Sequence, residues 1–416
     1  MRNRMQDRRL EIGLVKLRRI IMMTDERKQE VIEFCRKLIQ AKSYSGHEDG
    51  VARELETYCR AHGYDDIIRD RYGNLIAHIH GSKPGPKILF DGHMDTVPVP
   101  DEKEWTYPPF EGKIVGDRMY GRGTSDMKGA LGAMACALGF FAEDTGKDFA
   151  GDLYVAGVVH EECFEGVAAR SISQIVKPDY VIIGEASMLN LKIGQRGRAE
   201  VVVETQGKAA HSANPEKGIN AVYQMSELIS RIRRLEPTSH PVLGKGILEL
   251  TDIISSPYPG ASVVPERCRA TYDRRLLVGE TKKSVLKPIQ DLIQEMEEED
   301  PKFKATVSYA KGSEICYTGE QIEGERFFPG WLFDKKETYI RDIKADLEKN
   351  GYSPKITQYN FCTNGSHYAG EAGIKTIGLG PSREDLAHTV DEYVLLDQLT
   401  GAADCYMSVA GTLTKE

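Results

Sequence analysis

Three apolar runs in this chain stop abruptly on acidic or imidazole side chains: KILFDGHMD at 87–95, DLYVAGVVHEE at 152–162 and DYVIIGEAS at 179–187. Each is short, rich in β-branched and aliphatic residues, and reads as a buried strand. Between the first two lies the helix-like MKGALGAMACALGFFAED, and a short helix is expected over 165–174 before the third. Alternation of this kind predicts an α/β domain on a substantially parallel sheet. Parallel strands bring their carboxyl ends to one edge, and open α/β sheets bind ligands in the crevice beyond that edge. Asp91 to Asp95, Glu161 with Glu162, and Glu185 therefore point toward one crevice. Chance could end one strand on a polar turn; three such endings call for a shared cause.

The chain around this pattern divides by character. From Thr24 the stretch ERKQEVIEFCRKLIQ spaces Val31, Phe34, Cys35, Leu38 and Ile39 as a helix, with Thr24 or Asp25 as cap. NLIAHIHG at 74–81 is a further strand. Residues 196–309 read strand, helix, strand, strand, helix, strand, the ferredoxin-like order β-α-β-β-α-β. The α/β pattern then resumes with a helix near 337–349, a strand ending near Asn360, the loop CTNGSHYAGEAG, the strand IKTIGLG and a last helix from about Leu396. The expected plan is one catalytic domain built from 23–195 and 310–416, interrupted by a second domain at 196–309. FFPGWLF at 327–333 is read as core rather than pocket wall.

Composition narrows the function. A length of 416 residues favours more than one core. A net charge of −8, with no Lys/Arg cluster after residue 35, argues against nucleic acid as partner. No apolar run is long enough to span a bilayer. Eight scattered cysteines without a CxxC pair suit reduced thiols and a cytoplasmic protein. Residues 1–22 carry seven Arg or Lys yet lack the apolar core of a signal peptide. Arg18-Arg19, if encoded AGG-AGG, would be a ribosome-binding site ahead of Met22 and Met23. The expectation is that 1–22 is a non-native extension; N-terminal sequencing of the natural protein checks it.

Oxygen and imidazole donors suit hard and borderline divalent metals, and zinc in particular takes His with Asp or Glu while keeping a position open for water. His93, Asp126 in GRGTSDMKG, Glu161, Glu162, Glu185, and His388 in EDLAHTVDEY are the candidates.

With DGHMDTVP, GRGTSDMKG, HEE, GEAS, AHTVDEY, the segment GKAAHSANPEKGINA and SVVPE followed by DRR, the sequence resembles peptidase family M20. These are di-zinc amidohydrolases and exopeptidases that include aminoacylase, acetylornithine deacetylase, succinyl-diaminopimelate desuccinylase and glutamate carboxypeptidase. The likeness runs from about residue 24 to 414, and the wording is most similar to a bacterial subgroup described as selenium-metabolism-linked hydrolases. It implies a di-zinc exopeptidase-like catalytic domain with an inserted lid and dimerisation domain. It implies two divalent ions, zinc first with cobalt or manganese as alternatives. Asp126 would bridge them, His93 and Glu185 would hold one, and Glu162 and His388 the other. Asp95 would fix the His93 ring, Glu161 would act as general base, and the peptide after Asp126 would be cis. His211 would stabilise the oxyanion, commonly from the partner of a homodimer. Arg275 matches the arginine that grips a substrate carboxylate, with Arg196, Asn364 and Gly365 as further contacts. Ser262 departs from the Asn of several relatives, so no named substrate is carried over. The expected activity is amide cleavage in a small N-acyl amino acid or related carboxylate. A dipeptidase or carboxypeptidase is the alternative on the same machinery, and an inactive metal-bearing scaffold the alternative of another class.

Overall fold

The computed structural model describes residues 23–415, so the expectation about 1–22 lies outside the described residues. Helix Asp25–Gln40 is capped by Thr24, whose side chain accepts the Arg27 N–H, and it buries the five apolar residues the spacing marked out.

A nine-stranded sheet organises the larger part of the chain. In spatial order it runs Asp66–Arg69, Leu75–His80, Ala150–Val158, Lys83–His93, Tyr180–Ile183, Lys375–Gly378, Leu191–Gln195 and Trp331–Leu332, with Ile356–Tyr359 also paired to Leu191–Gln195. The four middle strands, from Ala150–Val158 to Lys375–Gly378, are parallel, while Asp66–Arg69, Leu75–His80 and Trp331–Leu332 are antiparallel additions. Parallel pairs need crossovers. Lys128–Thr145 precedes Ala150–Val158, and Ala169–Val176 leads from there to Tyr180–Ile183. Lys128–Thr145 is buried from Lys128 to Ala142 because it packs against Asp25–Gln40, Leu396–Leu413 and the sheet. Small residues allow the closeness: a Cβ at Gly132 would stand 2.7 Å from the Cys35 sulfur.

Three local features differ from expectation. Helix Asp49–Ala61, with Val51, Ala52, Leu55, Tyr58 and Cys59 buried, was hidden behind the turn-like GHEDG. The helix expected over 165–174 is Ala169–Val176, since Gly166 turns the chain at φ +87° just before it. The loop 362–373 contains a π-helical turn, Ser366–Glu371.

The inserted segment forms its own antiparallel sheet, ordered Ile247–Ser256, Arg267–Leu276, Gly197–Gln206, Ala305–Tyr309. Helices Ala221–Ile232 and Lys282–Glu299 pack with it, giving the ferredoxin-like unit. Its core, including Val201, Met225, Tyr272 and Ile289, is separate from that of the larger sheet. Segment 327–333 is core and serves both. Phe327–Phe328 pairs with Gly197–Gln206, and Trp331–Leu332 with Leu191–Gln195; Phe327, Phe328 and Trp331 are buried. Among the described residues no helix is long and apolar enough to cross a membrane, and the eight cysteines are unbridged.

Candidate metal centre

Strand register brings the marked residues together. His93 closes its strand opposite Val158, Glu161 and Glu162 lie just beyond Val158, and Glu185 lies just beyond Ile183, which pairs with Asp91. Asp126 sits in the turn that leads into helix Lys128–Thr145, and its peptide bond to Met127 is cis. His388 arrives on a loop from the far end of the chain at φ +63°.

Asp126 stands between the two imidazoles. Its Oδ1 is 2.8 Å from His93 Nε2, which is also 3.5 Å from Glu185 Oε1. Its Oδ2 is 3.2 Å from His388 Nε2, which is 3.0 Å from Glu162 Oε2. Ligand atoms of His93, Asp126 and Glu162 lie within 4.8 Å of one another, as do those of His93, Glu161 and Glu185. Glu161 is buried, and its Oε1 has no hydrogen-bond partner.

Asp95 contributes in a way the sequence did not reveal. His93 Nδ1 is 2.9 Å from the Asp95 backbone oxygen, and the Asp95 carboxylate Oδ1 is at 3.5 Å. The carboxylate accepts the N–H groups of Glu161 and Glu162, both at 3.1 Å, and the Ser45 hydroxyl at 2.7 Å. One residue thus orients both the imidazole and the paired glutamates.

Charge is unbalanced here. Burial first, and then the Asp126 charge, raises Glu162 and Glu185 to about 7. Burial pushes Glu161 well above the carboxylate range, with Glu185, Glu165 and Glu162 adding to it against His93. Hydrogen bonds to Asp126 and Glu162 lift His388 to about 10. Burial works against ionising Asp126, yet the two imidazoles hold it low. Four carboxylates around two imidazoles, Glu161 and Glu185 buried and Asp126 and Glu162 half-buried, with one oxygen orphaned, form a donor set that a divalent cation completes.

The substrate-side residues fall in two groups. His211 is exposed on the short strand Ala210–His211, which pairs with Val263–Val264. Its Nδ1 accepts the Ala213 N–H at 3.0 Å, and among the described residues no hydrogen bond or ion pair joins it to the acidic cluster. Ser262 takes φ +61° beside it, a left-handed conformation that Asn tolerates better than Ser. Arg275 pairs in register with Arg198 and is 3.1 Å from Asp273. Arg196 donates to the backbone oxygens of Asn360 and Lys245. Asn364 and Gly365, expected as substrate contacts, bond to the scaffold. The Asn364 amide donates to Asp91 at 3.0 Å and accepts from Gly166 at 2.9 Å; Gly365 donates to Thr363 Oγ1, and a Cβ there would meet Trp331 Nε1 at 2.7 Å.

Residues 89–412 match the model of peptidase family M20/M25/M40. The chain belongs to that family. As an M20/M25/M40 member it is a metal-dependent hydrolase. YgeY of Escherichia coli (strain K12) is 29% identical over 386 residues, covering 91% of this chain and 93% of its own. The succinyl-diaminopimelate desuccinylase of Dinoroseobacter shibae is 30% identical over 310 residues, 71% of this chain and 78% of its own. Among solved structures, aminopeptidase PepT from Bacillus cereus superposes with a TM-score of 0.72 at 19% identity, covering 93% of this chain and 99% of its own, a likeness of fold.

Several supports of this M20/M25/M40 site come from residues far apart in the sequence. Glu392, fully buried, accepts the N–H groups of Gly123, Ser125 and Asp126 at 3.0, 2.7 and 3.1 Å and pairs with Arg122 at 2.6 Å. Its signal was a carboxylate beside the apolar YVLL. Glu48, also fully buried, accepts from Gly46 and His160. Arg198 links the inserted sheet to the catalytic loop through Glu165 at 2.9 Å; an alternating strand offers no sign of such a partner.

Proposed function

We propose that this chain is a two-metal hydrolase cleaving the amide bond of a small N-acyl amino acid or related carboxylate-bearing substrate. The observation that carries it is Asp126, whose two oxygens face two separate donor sets, His93 with Glu185 and His388 with Glu162. Imidazole with carboxylate favours zinc, with cobalt or manganese as alternatives. When bound, such a pair of ions acidifies water and polarises the scissile carbonyl.

The chain's own residues do the rest. Glu161, with an unpartnered buried oxygen and a backbone held by Asp95, takes the proton of the attacking water and passes it to the leaving nitrogen. His211 accepts at Nδ1, which leaves Nε2 as the ring N–H that it offers to the oxyanion. Arg275 and Arg196 are the cations for a substrate carboxylate, a task suited to a planar guanidinium. Asn364 and Gly365 support that pocket from beneath. The desuccinylase relative supports the acyl amino acid reading.

The working unit is a homodimer through the lid, with 23–195 and 310–416 as catalytic domain and 196–309 as lid. Ile253 and Ile254 support it: they are about half exposed on Ile247–Ser256, a strand at the edge of its sheet, and such an edge is a ready pairing surface. Unbridged cysteines support a cytoplasmic setting.

The test is hydrolysis by the full chain of a panel of N-acetyl, N-succinyl and N-carbamoyl amino acids and dipeptides, with zinc and after chelation. Chelator-sensitive cleavage of one class is expected and names the leaving group. No cleavage across the panel by metal-loaded protein would favour the inactive scaffold.

A further inference from the structure

A second cluster of metal-ligand residues stands on the same sheet, away from the catalytic loops. His78 and His80 share one face of strand Leu75–His80, two residues apart. Asp66 is opposite His78 on one neighbouring strand, and Asp152 is opposite His80 on the other. Asp152 lies near the start of Ala150–Val158, whereas His160 to Glu162 follow its end. The two sites are therefore about 20 Å apart along the strand.

We infer that His78, His80 and Asp66 form a separate mononuclear site for a divalent cation of the zinc class. Asp66 Oδ2 is 3.0 Å from His80 Nε2 and 3.7 Å from His78 Nδ1, and ligand atoms of all three residues converge within 4.8 Å. Bonds of about 2.0–2.2 Å from a tetrahedral zinc to N and O place donors roughly 3.4 Å apart, so only small shifts are needed. The other ring nitrogens supply the independent observation. Asp152 Oδ1 is 3.0 Å from His78 Nε2 and 3.1 Å from His80 Nδ1. One carboxylate thus takes an N–H from each ring and turns His78 Nδ1 and His80 Nε2 toward Asp66; a bound cation would replace the proton that His80 Nε2 shares with Asp66. A carboxylate behind a histidine is the usual support for a metal-binding imidazole.

The surroundings hold the rings in place. Tyr154 stacks on His78 at 4.0 Å and 14°, and the imidazole centroids are 3.8 Å apart. Two protonated rings at that separation would repel, and a single cation shared by both rings avoids that repulsion. Lys147, the nearby base, is paired with Asp65. Asp66 and His80 are exposed, which leaves the fourth position to water. The ion would tie Asp66–Arg69 to Leu75–His80 at the sheet edge, with Asp152 bracing both rings from the next strand.

The test is zinc content per chain by elemental analysis after equilibrium dialysis of full-length protein against low-micromolar free zinc. His80→Ala and Asp66→Asn should each bind one zinc fewer than the parent, with peptide or acyl amino acid hydrolysis unchanged. Asp66→Asn alters an exposed side chain and keeps the test valid if His80→Ala folds poorly. Asp152→Asn should retain the ion with affinity weakened about 10- to 100-fold. Parental zinc content in both ligand variants would overturn the site, whether or not the chain proves to be an amide hydrolase.

Discussion

Glu161 and Glu48 show how burial gives one residue type different tasks. Glu161 keeps an orphaned oxygen at the centre, and its role does not require it to hold metal. Glu161→Ala should retain parental metal content while turnover falls on the order of 100- to 10,000-fold; loss of an ion in that variant would move Glu161 into the ligand set. Glu48 is a brace whose carboxyl, fully buried and near Asp95, is raised to about 7. A raised carboxyl contributes stability that is complete below its unfolded value near 4.5 and lost as pH rises through 7. Glu48→Gln preserves an acceptor for Gly46 and His160 and removes the titration. Urea unfolding at pH 5 and pH 8 should show the variant gaining roughly 2 kcal/mol on the parent across that interval. A constant difference between the two would mean that Glu48 does not titrate there.

At the scale of elements, the turn 121–127 depends on a residue distant in sequence. Glu392 gathers three of its backbone N–H groups and pairs with Arg122. Glu392→Ala leaves those donors and a buried guanidinium unpaired, which should cost about 3–5 kcal/mol in denaturant unfolding. It should also loosen metal retention, because Asp126 loses the acceptor for its own N–H. A melt indistinguishable from the parent would show that water replaces the clamp. Gly132 illustrates the same dependence in the core: its place in helix Lys128–Thr145 makes sense only beside Cys35 of another helix.

For the whole molecule, the separation of His211 from the acidic cluster becomes a question of assembly. If His211 acts on the partner's centre, His211→Ala and Glu161→Ala chains are each nearly inactive alone but complement each other when mixed. Random pairing gives heterodimers one intact centre, so the mixture should recover roughly a quarter of parental turnover. Recovery that stays at background while subunit exchange is verified by mass spectrometry would return His211 to an action within its own chain. The Arg198–Glu165 pair gives the lid a direct hold on the loop that carries Glu161 and Glu162.

The sequence alone determined the parallel centre of the sheet, the β-α-β-β-α-β insertion and the residues that converge beyond the strand ends. Period and apolar run length record which face is buried, and a histidine or carboxylate ending a buried strand is conspicuous because burial there is costly. Its reach ended where partners are far apart in the chain. Helix Asp49–Ala61 hid behind a polar turn. Asp95 looked like a brace for His93, yet its carboxylate also holds the Glu161–Glu162 backbone. Asn364, a candidate substrate contact, also bonds to Asp91 and Gly166, partners far from it in the chain. Beyond a carboxylate or histidine next to apolar residues, the sequence around Glu392, Glu48 and the Asp66, His78, His80 and Asp152 cluster does not name their partners, because those hydrogen bonds and ion pairs are set by strand register and by chain crossings that only the tertiary structure decides.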